Sequence, residues 1–191
     1  VMLNDLPINR ETRAIDALCH AFIARHVPAP EPLRFVSSVL RLSIALERIG
    51  DYAVTVARVG VKLSQTPPKR VVDELTGLAI NACHMLEDAT DAFVEGDAEL
   101  ACETARRSKQ IDRRHDDFFR EIINDDDIER PLLEIVSLLT IIGKLERVSD
   151  QAKNMCEEAV FVTTGQTKAP KRYKVLFVDE KNDLLSHLAM A

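Results

Sequence analysis

The sequence predicts an all-α protein made of two tandem three-helix bundles, followed by a short C-terminal β-strand fragment. Three observations lead to this fold class. The 191 residues are 46% hydrophobic with only six glycines and no tryptophan, which suits helices packed through aliphatic side chains. Apolar residues recur with a helical period between breaks that contain proline or glycine. The pattern Leu-Glu-Arg-x-x-Asp occurs twice, at residues 46–51 and 145–150.

The first cycle of the pattern contains two helices. Apolar residues at helical spacing predict a helix over residues 8–26, which the prolines at positions 28, 30 and 32 bring to an end. The same periodicity continues without proline from residue 33 to residue 63 and predicts a long second helix. The pair Pro67-Pro68 ends it.

The second cycle contains three helices. Residues 71–95 and 98–123 read as two helices separated by Gly96-Asp97. Pro131 opens a long third helix that extends to about residue 162. A polar segment with glycine and proline follows it and is typical of a linker.

The two long helices are copies of one another. At an offset of 99 residues, Pro32 aligns with Pro131 and the Leu-Glu-Arg-x-x-Asp patterns align without a gap, which indicates an internal repeat. The preceding helices align at an offset near 103, and most of the first helix of the first repeat is absent from the sequence. We therefore expect a first repeat over 1–64, a second repeat over 69–163, a linker over 164–172 and the start of an α/β domain over 173–191.

Charge and composition exclude several classes of protein. A net charge of −6 and no dominant basic face argue against a general nucleic-acid binder. No apolar run is long enough to span a bilayer, so we expect a cytoplasmic protein that reaches a membrane only through partners. The four cysteines are far apart and lie in helical patterns, so buried free thiols are expected.

Each long helix carries an acidic pair. Glu47 and Asp51, like Glu146 and Asp150, are four residues apart and therefore share a helix face, where like charges repel. A metal ion bound by these carboxylates would compensate the repulsion, and so would a lysine or arginine of a neighbouring helix. The arginine that follows each glutamate is expected to form structural ion pairs.

The second repeat offers additional donors for a metal. Asp112, His115 and Asp116 lie at helical spacing, and Asn154 follows Asp150 by one turn. If the two helices are antiparallel neighbours, these groups converge with Glu146 and Asp150 on a site suited to iron, manganese or zinc. A surface histidine beside acidic neighbours is the alternative for His115. The first repeat is poorer, because it has Asn9, Thr12, Arg13 and Thr55 at the corresponding places.

These residues also resemble a known family. Residues 8–19, 22–28, 33–34 and 46–53 look like the first repeat of the PhoU family of phosphate-signalling regulators, and residues 96–97, 111–112 and 145–152 look like its second repeat. The resemblance covers about residues 1–165.

The resemblance implies a function. Members of the family are cytoplasmic and carry multinuclear metal sites on acidic faces, without catalysis. They link the ATPase of a phosphate ABC transporter to a sensor histidine kinase and damp the phosphate-starvation response, and homodimer formation is compatible with this role. The family's metal ligands correspond to Glu47, Asp51, Glu146 and Asp150, and also to Asp112, Asp116 and Asn154.

The C-terminal segment shows a separate resemblance. Residues 174–178 read as a buried strand, and residues 175–191 resemble the start of low-molecular-weight tyrosine phosphatases and arsenate reductases. These enzymes need a cysteine nucleophile after the strand and an arginine before the serine, whereas this sequence has Asp179 and Leu185 there. Such a domain would be degenerate. The opening of a response-regulator receiver is the second interpretation of Asp179-Glu180.

Three functions follow from these patterns. The first is a non-enzymatic, metal-binding regulator of phosphate transport and signalling. The second is an enzyme related to phosphatases or arsenate reductases, with a helical sensory domain. The third is a metal-free helical scaffold in which the acidic pairs are neutralised by ion pairs only.

Overall fold

The computed structural model describes residues 6–124 and 131–167, and these residues form five helices and no strand. The helices are α1 (Leu6–His26), α2 (Pro30–Gly60), α3 (Lys69–Glu95), α4 (Ala98–Asn124) and α5 (Leu132–Thr164). The predicted all-α class and all five predicted helices are confirmed. The predicted strand at residues 174–178 lies outside the described residues, and no helix of the described part is long and apolar enough to cross a membrane.

The helix ends follow from local chemistry. The backbone N–H groups of Gly96 and Gly165 donate to the carbonyls of Ala92 and Phe161, and both glycines have a positive φ, of 68° and 74°. A left-handed residue of this kind ends a helix, and glycine adopts it without a steric penalty. The Asp97 carboxylate then accepts hydrogen bonds from two backbone N–H groups in the first turn of α4 and caps that helix.

Helix α5 is the centre of the fold. It packs against α2, α3 and α4, and α3 also packs against α4, so these three C-terminal helices form a complete three-helix bundle. Helix α1 packs against α2 and against no other described helix. This difference is visible in burial, because α1 buries one residue, Cys19, whereas α3 buries six.

Two apolar clusters form the core. The cluster near the start of α5 contains large side chains from α3, α4 and α5, namely Val71, Leu78, Phe118, Ile122, Leu138 and Ile142. The other cluster, toward the end of α5, includes residues of α2 and is made mostly of small side chains, among them Ala45, Ala89, Ala92, Ala101, Ala152, Cys156 and Ala159. Small side chains let the backbones of four helices approach one another closely.

Polar contacts join α2, and the turn that follows it, to α5 at two points. The Arg41 guanidinium donates two hydrogen bonds of 2.7 Å to the Glu158 carboxylate, and the Ser38 hydroxyl donates a third of 2.7 Å. At the other end, the buried Glu134 carboxylate accepts hydrogen bonds from the backbone N–H and the hydroxyl of Ser64. Bonds that involve a charged group are stronger than neutral ones, so these contacts fix the register of the two helices.

The two copies of the repeat are related by a local twofold axis. Residue 38 meets 158, 52 meets 144 and 64 meets 134, so α2 and α5 are antiparallel. By interpolation between these contacts, positions near 49 lie opposite positions near 148. At the offset of 99 residues these two positions are equivalent, which places the axis between them.

The cysteines differ from the expectation. Cys19 and Cys156 are buried, and burial raises the pKa of the Cys156 thiol to about 12. Cys83 and Cys102 are exposed, so the expectation of four buried thiols is wrong for these two. Their helices place them on outer faces that the helical period alone did not distinguish from the core face.

Replacement of Leu138 by alanine tests the core. Leu138 is fully buried in the large-residue cluster, so L138A should lower the free energy of unfolding by about 3 kcal/mol. The matched control is L133A on the same helix, where the side chain is 77% exposed and the expected loss is below about 0.5 kcal/mol. Urea unfolding followed by circular dichroism measures both, and equal losses would contradict the described packing.

Candidate metal centre

Four acidic side chains lie near one another where α4 packs against α5. Asp112 and Asp116 lie one turn apart on α4, and Glu146 and Asp150 lie one turn apart on α5. Burial raises the pKa of Glu146, and the negative charges of Asp150, Asp116 and Asp112 raise it further. These four residues therefore lie close enough to repel one another, and we call them the acidic seam.

Two cations of α5 offset part of this repulsion. Burial raises the pKa of Asp112, the positive charge of Lys153 lowers it, and Asp150 and Asp116 raise it again. Arg147 lies 3.9 Å from Asp150, but its side chain is largely exposed, so this ion pair is weak. The pKa values of Asp112 and Glu146 stay raised, which means that the neutralisation is incomplete.

His115 lies beside the acidic seam but inside the bundle. Its side chain is only 2% exposed, and neither ring nitrogen makes a hydrogen bond among the described residues. Burial lowers the pKa of His115, while Asp116, Asp150 and the nearby carbonyl of Ile142 favour the protonated ring. The interpretation of His115 as a surface histidine is therefore wrong. A buried histidine whose ring nitrogens make no hydrogen bond of normal geometry is uncommon and is a candidate ligand or proton carrier.

The structure places Asn154 away from the other predicted ligands of the second repeat. Its side chain is exposed and lines a cleft of about 290 Å³ between α2 and α5, together with Arg48 and Gln151. Asn154 follows Asp150 by four residues on α5. Four residues make one full helical turn plus about 40°, so the Asn154 side chain points about 40° away from that of Asp150. The spacing correctly places Asn154 one helical turn after Asp150. It does not indicate on which side of α5 the neighbouring helix α4 lies.

The first repeat lacks an equivalent acidic cluster among the described residues. Glu47 is half-buried and Asp51 is exposed, and Asn9 and Thr12 occupy the places that Asp112 and His115 have in the second repeat. The Oδ1 atom of Asn9 is buried and makes no hydrogen bond within the described part of the chain.

In the first repeat, α1 packs closely against α2 beside the acidic pair. A Cβ atom on Gly50 would lie 2.9 Å from Cδ1 of Ile8, so glycine is the residue that leaves room for the isoleucine. The equivalent position of α5 is Ser149.

The acidic seam fits a metal in its chemistry. Carboxylates and a neutral imidazole are ligands for iron, manganese and zinc. Among the described residues, no group of three His, Cys, Asp or Glu side chains lies in an arrangement that would hold an ion directly. Binding therefore requires rotation of the seam side chains toward one another, which is open to them because Asp116 is exposed and the other three are only half-buried.

Sequence reasoning did not identify Lys153. It lies on the same face of α5 as Glu146 and Asp150, seven and three residues further along, and this spacing was available in the sequence. The pairing of Arg41 with Glu158 was not predictable, because the two residues are 117 positions apart and meet only through the packing of α2 on α5.

Comparisons with known proteins identify relatives over most of the chain. Residues 1–59 and 75–159 match the sequence model of the PhoU domain. A phosphate-specific transport system accessory protein PhoU homolog from Pseudomonas putida is 34% identical over 166 residues, which are 84% of this chain and 64% of that relative. A Thermotoga maritima protein, phosphate-specific transport system accessory protein PhoU homolog 1, is 32% identical over 170 residues, or 87% of this chain and 72% of that one.

Solved structures show the same fold. The phosphate transport system regulatory protein PhoU from Streptococcus pneumoniae has a TM-score of 0.78 at 30% identity, covering 87% of this chain and 78% of that one. PhoU from Pseudomonas aeruginosa has a TM-score of 0.79 at 32% identity, covering 85% and 78%.

Removal of one seam charge tests the electrostatics of the site. In protein stripped of metal by a chelator, E146Q should raise the free energy of unfolding by about 0.5 kcal/mol at pH 7, because it removes a repelling charge. The stabilising contribution of protonated Glu146 is complete below its unfolded pKa and is lost as pH rises through its raised folded pKa. The gain should therefore shrink toward pH 4.

Thermal unfolding of wild-type and E146Q protein across this pH range is the measurement. E11Q is the control: it makes the same change at an exposed glutamate of α1, where the contact with Arg10 is solvent-screened, and should leave stability nearly unchanged. A loss of stability in metal-free E146Q at pH 7 would contradict the described repulsion.

Proposed function

The chain belongs to the PhoU family, and we propose that it is a non-enzymatic, metal-binding regulator of phosphate uptake and phosphate-starvation signalling. It acts as an adaptor between the ATPase subunit of a phosphate ABC transporter and a sensor histidine kinase. The relatives named above are accessory or regulatory proteins of phosphate transport systems, which supports the first part of this role. The protein works in the cytoplasm and reaches the membrane through its partners.

The acidic seam is the observation that carries the metal-binding part. Asp112, Asp116, Glu146 and Asp150 hold the ion, with His115 as an additional nitrogen donor, whereas Asn154 faces the α2–α5 cleft and is not part of this site. Glu47 and Asp51 form the weaker site of the first repeat. A bound iron, manganese or zinc ion supplies the positive charge that Lys153 and Arg147 supply only in part.

The position of the acidic seam on α5 connects it to the rest of the fold. Charge at the seam sets how closely α4 packs against α5, and α5 is joined to α2 through Glu158 and Arg41. A change of charge at the seam is thus transmitted to both copies of the repeat. This gives the adaptor one rigid element through which an effect on one bundle reaches the other.

The metal-free scaffold is the second candidate function, and the contacts of Lys153 and Arg147 favour it. The enzyme hypothesis has less support, since the family match ends at residue 159, before the segment that resembles phosphatases. That segment, with Asp179 and Leu185, lies outside the described residues.

Measurement of the bound metal distinguishes the metal-binding regulator from the metal-free scaffold. We expect E146Q/D150N to lose most of the iron, manganese or zinc that wild-type protein retains, because two of the four seam carboxylates become neutral. The matched control is E47Q/D51N, which makes the same chemical change in the first repeat and should retain most of the metal. Elemental analysis of purified protein after loading gives the result, with circular dichroism as a check on folding.

Two outcomes would reject metal binding at the seam. One is wild-type protein that retains no ion after loading, which would favour the scaffold. The other is equal retention by E146Q/D150N and E47Q/D51N.

The partner half of the proposal has its own test. Immobilised full-length protein should retain the transporter ATPase and the cytoplasmic part of the sensor kinase at high phosphate, and retain less of both at low phosphate. Quantitative immunoblotting of the eluates measures the difference. If neither protein is retained at high phosphate, the adaptor role is wrong, whatever the metal analysis gives.

A further inference from the structure

A row of ion pairs follows the line along which α3 packs against α4, on the side of α4 away from the acidic seam. Each pair joins one residue of α3 to one residue of α4, which fixes the two helices as antiparallel neighbours. The pairs are Arg70 with Glu121, Glu74 with Arg114 and Asp88 with Arg107.

The row is interrupted between its second and third pairs. A groove of about 350 Å³ opens there, bounded by Arg114 at one end and Arg107 at the other. The polar side chains that line it are those of Asn81, His84 and Gln110, and no carboxylate is among them. This size is at the lower end of the range of small-molecule sites.

Both arginines have donors that remain available to a ligand. Arg114 donates from Nε and Nη2 to Glu74, and Arg107 donates from Nη2 to Asp88 and Thr104. A guanidinium has five N–H donors, so Nη1 of each arginine is not used by these contacts.

The backbone of α3 contributes to this arrangement. A Cβ atom on residue 77 would lie 3.2 Å from Nη2 of Arg114, so Gly77 lets the guanidinium lie close against α3.

The surrounding charge is positive on the α4 side. Residues 106–114 of α4 include five basic side chains and one acidic one, Asp112, which belongs to the seam on the α5 side. Arg106 lines a separate cleft on the α5 side of α4, so the positive charge at the groove comes from Arg107 and Arg114, each paired with one carboxylate.

We propose that this groove binds a phosphate oxyanion, either inorganic phosphate or the phosphate of a small monoester. Guanidinium, carboxamide and imidazole groups all donate hydrogen bonds to phosphate oxygens, and arginine matches the geometry of two such oxygens at once. The absence of carboxylates from the lining disfavours a metal cation. The proposal goes beyond the regulatory function and does not rest on it.

Nuclear magnetic resonance titration of the full chain tests the site. Inorganic phosphate is added in one series and glycerol 3-phosphate in another, at constant ionic strength and pH 7.5. Saturable shifts of the amide signals of Asn81, His84 and Gln110 are expected in at least one series, and the tighter ligand identifies the source of the phosphate. No saturable shift up to about 10 mM in either series would overturn the proposal.

A charge placed in the groove provides the sharper comparison. Q110E adds a carboxylate to the lining without removing either arginine, and because Gln110 is exposed the variant is expected to fold. It should weaken phosphate binding at least about tenfold through like-charge repulsion. The matched control is Q166E, the same change at an exposed glutamine outside the groove, which should bind as the wild type does.

Equal affinity of Q110E and Q166E for phosphate would overturn the proposal, because it would mean that phosphate is attracted to the protein surface in general and not to the groove. Metal content and partner retention are read separately on Q110E and should not change. A failure of the groove is therefore distinguishable from a failure of the regulatory function.

Discussion

The packing of α5 against three helices at once is the constraint on which the structure depends. A helix enclosed in this way has little free surface, and α5 buries ten residues, several of them small. Its apolar sides complete both core clusters, and the remaining side carries Glu146 and Asp150 next to α4. The backbone positions of the acidic pair are therefore fixed next to Asp112 and Asp116, although the side chains themselves can rotate. Repulsion at the seam persists because the apolar contacts on either side of it outweigh it.

Much of the fold was predictable from the sequence because helix periodicity and helix-ending residues are local properties. All five helices were predicted to within three residues at each end, and the doubled Leu-Glu-Arg-x-x-Asp indicated the repeat. The rotation of one helix about its axis relative to the next is not local. It decides that His115 points into the core, that Asn154 faces the α2–α5 cleft and that Cys83 and Cys102 are exposed. The spacing of residues along a helix shows which of them share a face. It does not show which neighbouring helix that face contacts.

The two copies have diverged most where they carry charge. The second repeat has Asp112 and Asp116 facing its acidic pair, whereas the first has Asn9 and Arg13 at those positions. Helix α4 also separates opposite charges on its two sides, with the acidic seam toward α5 and the arginines toward α3. These two sides face different neighbours and are separated by the apolar stripe that contains Phe118 and Ile122.

The local twofold axis between Ile49 and Val148 makes the tandem chain equivalent in geometry to a dimer of single units whose subunits are covalently joined. In a dimer of identical units, every bridge across the axis would occur twice. Here the bridge from Arg41 to Glu158 occurs once, because the equivalent positions are Thr140 and Val59. Covalent connection replaces the mass action that holds separate subunits together. Association no longer depends on concentration, so each half was free to lose contacts that symmetry would otherwise have imposed on both.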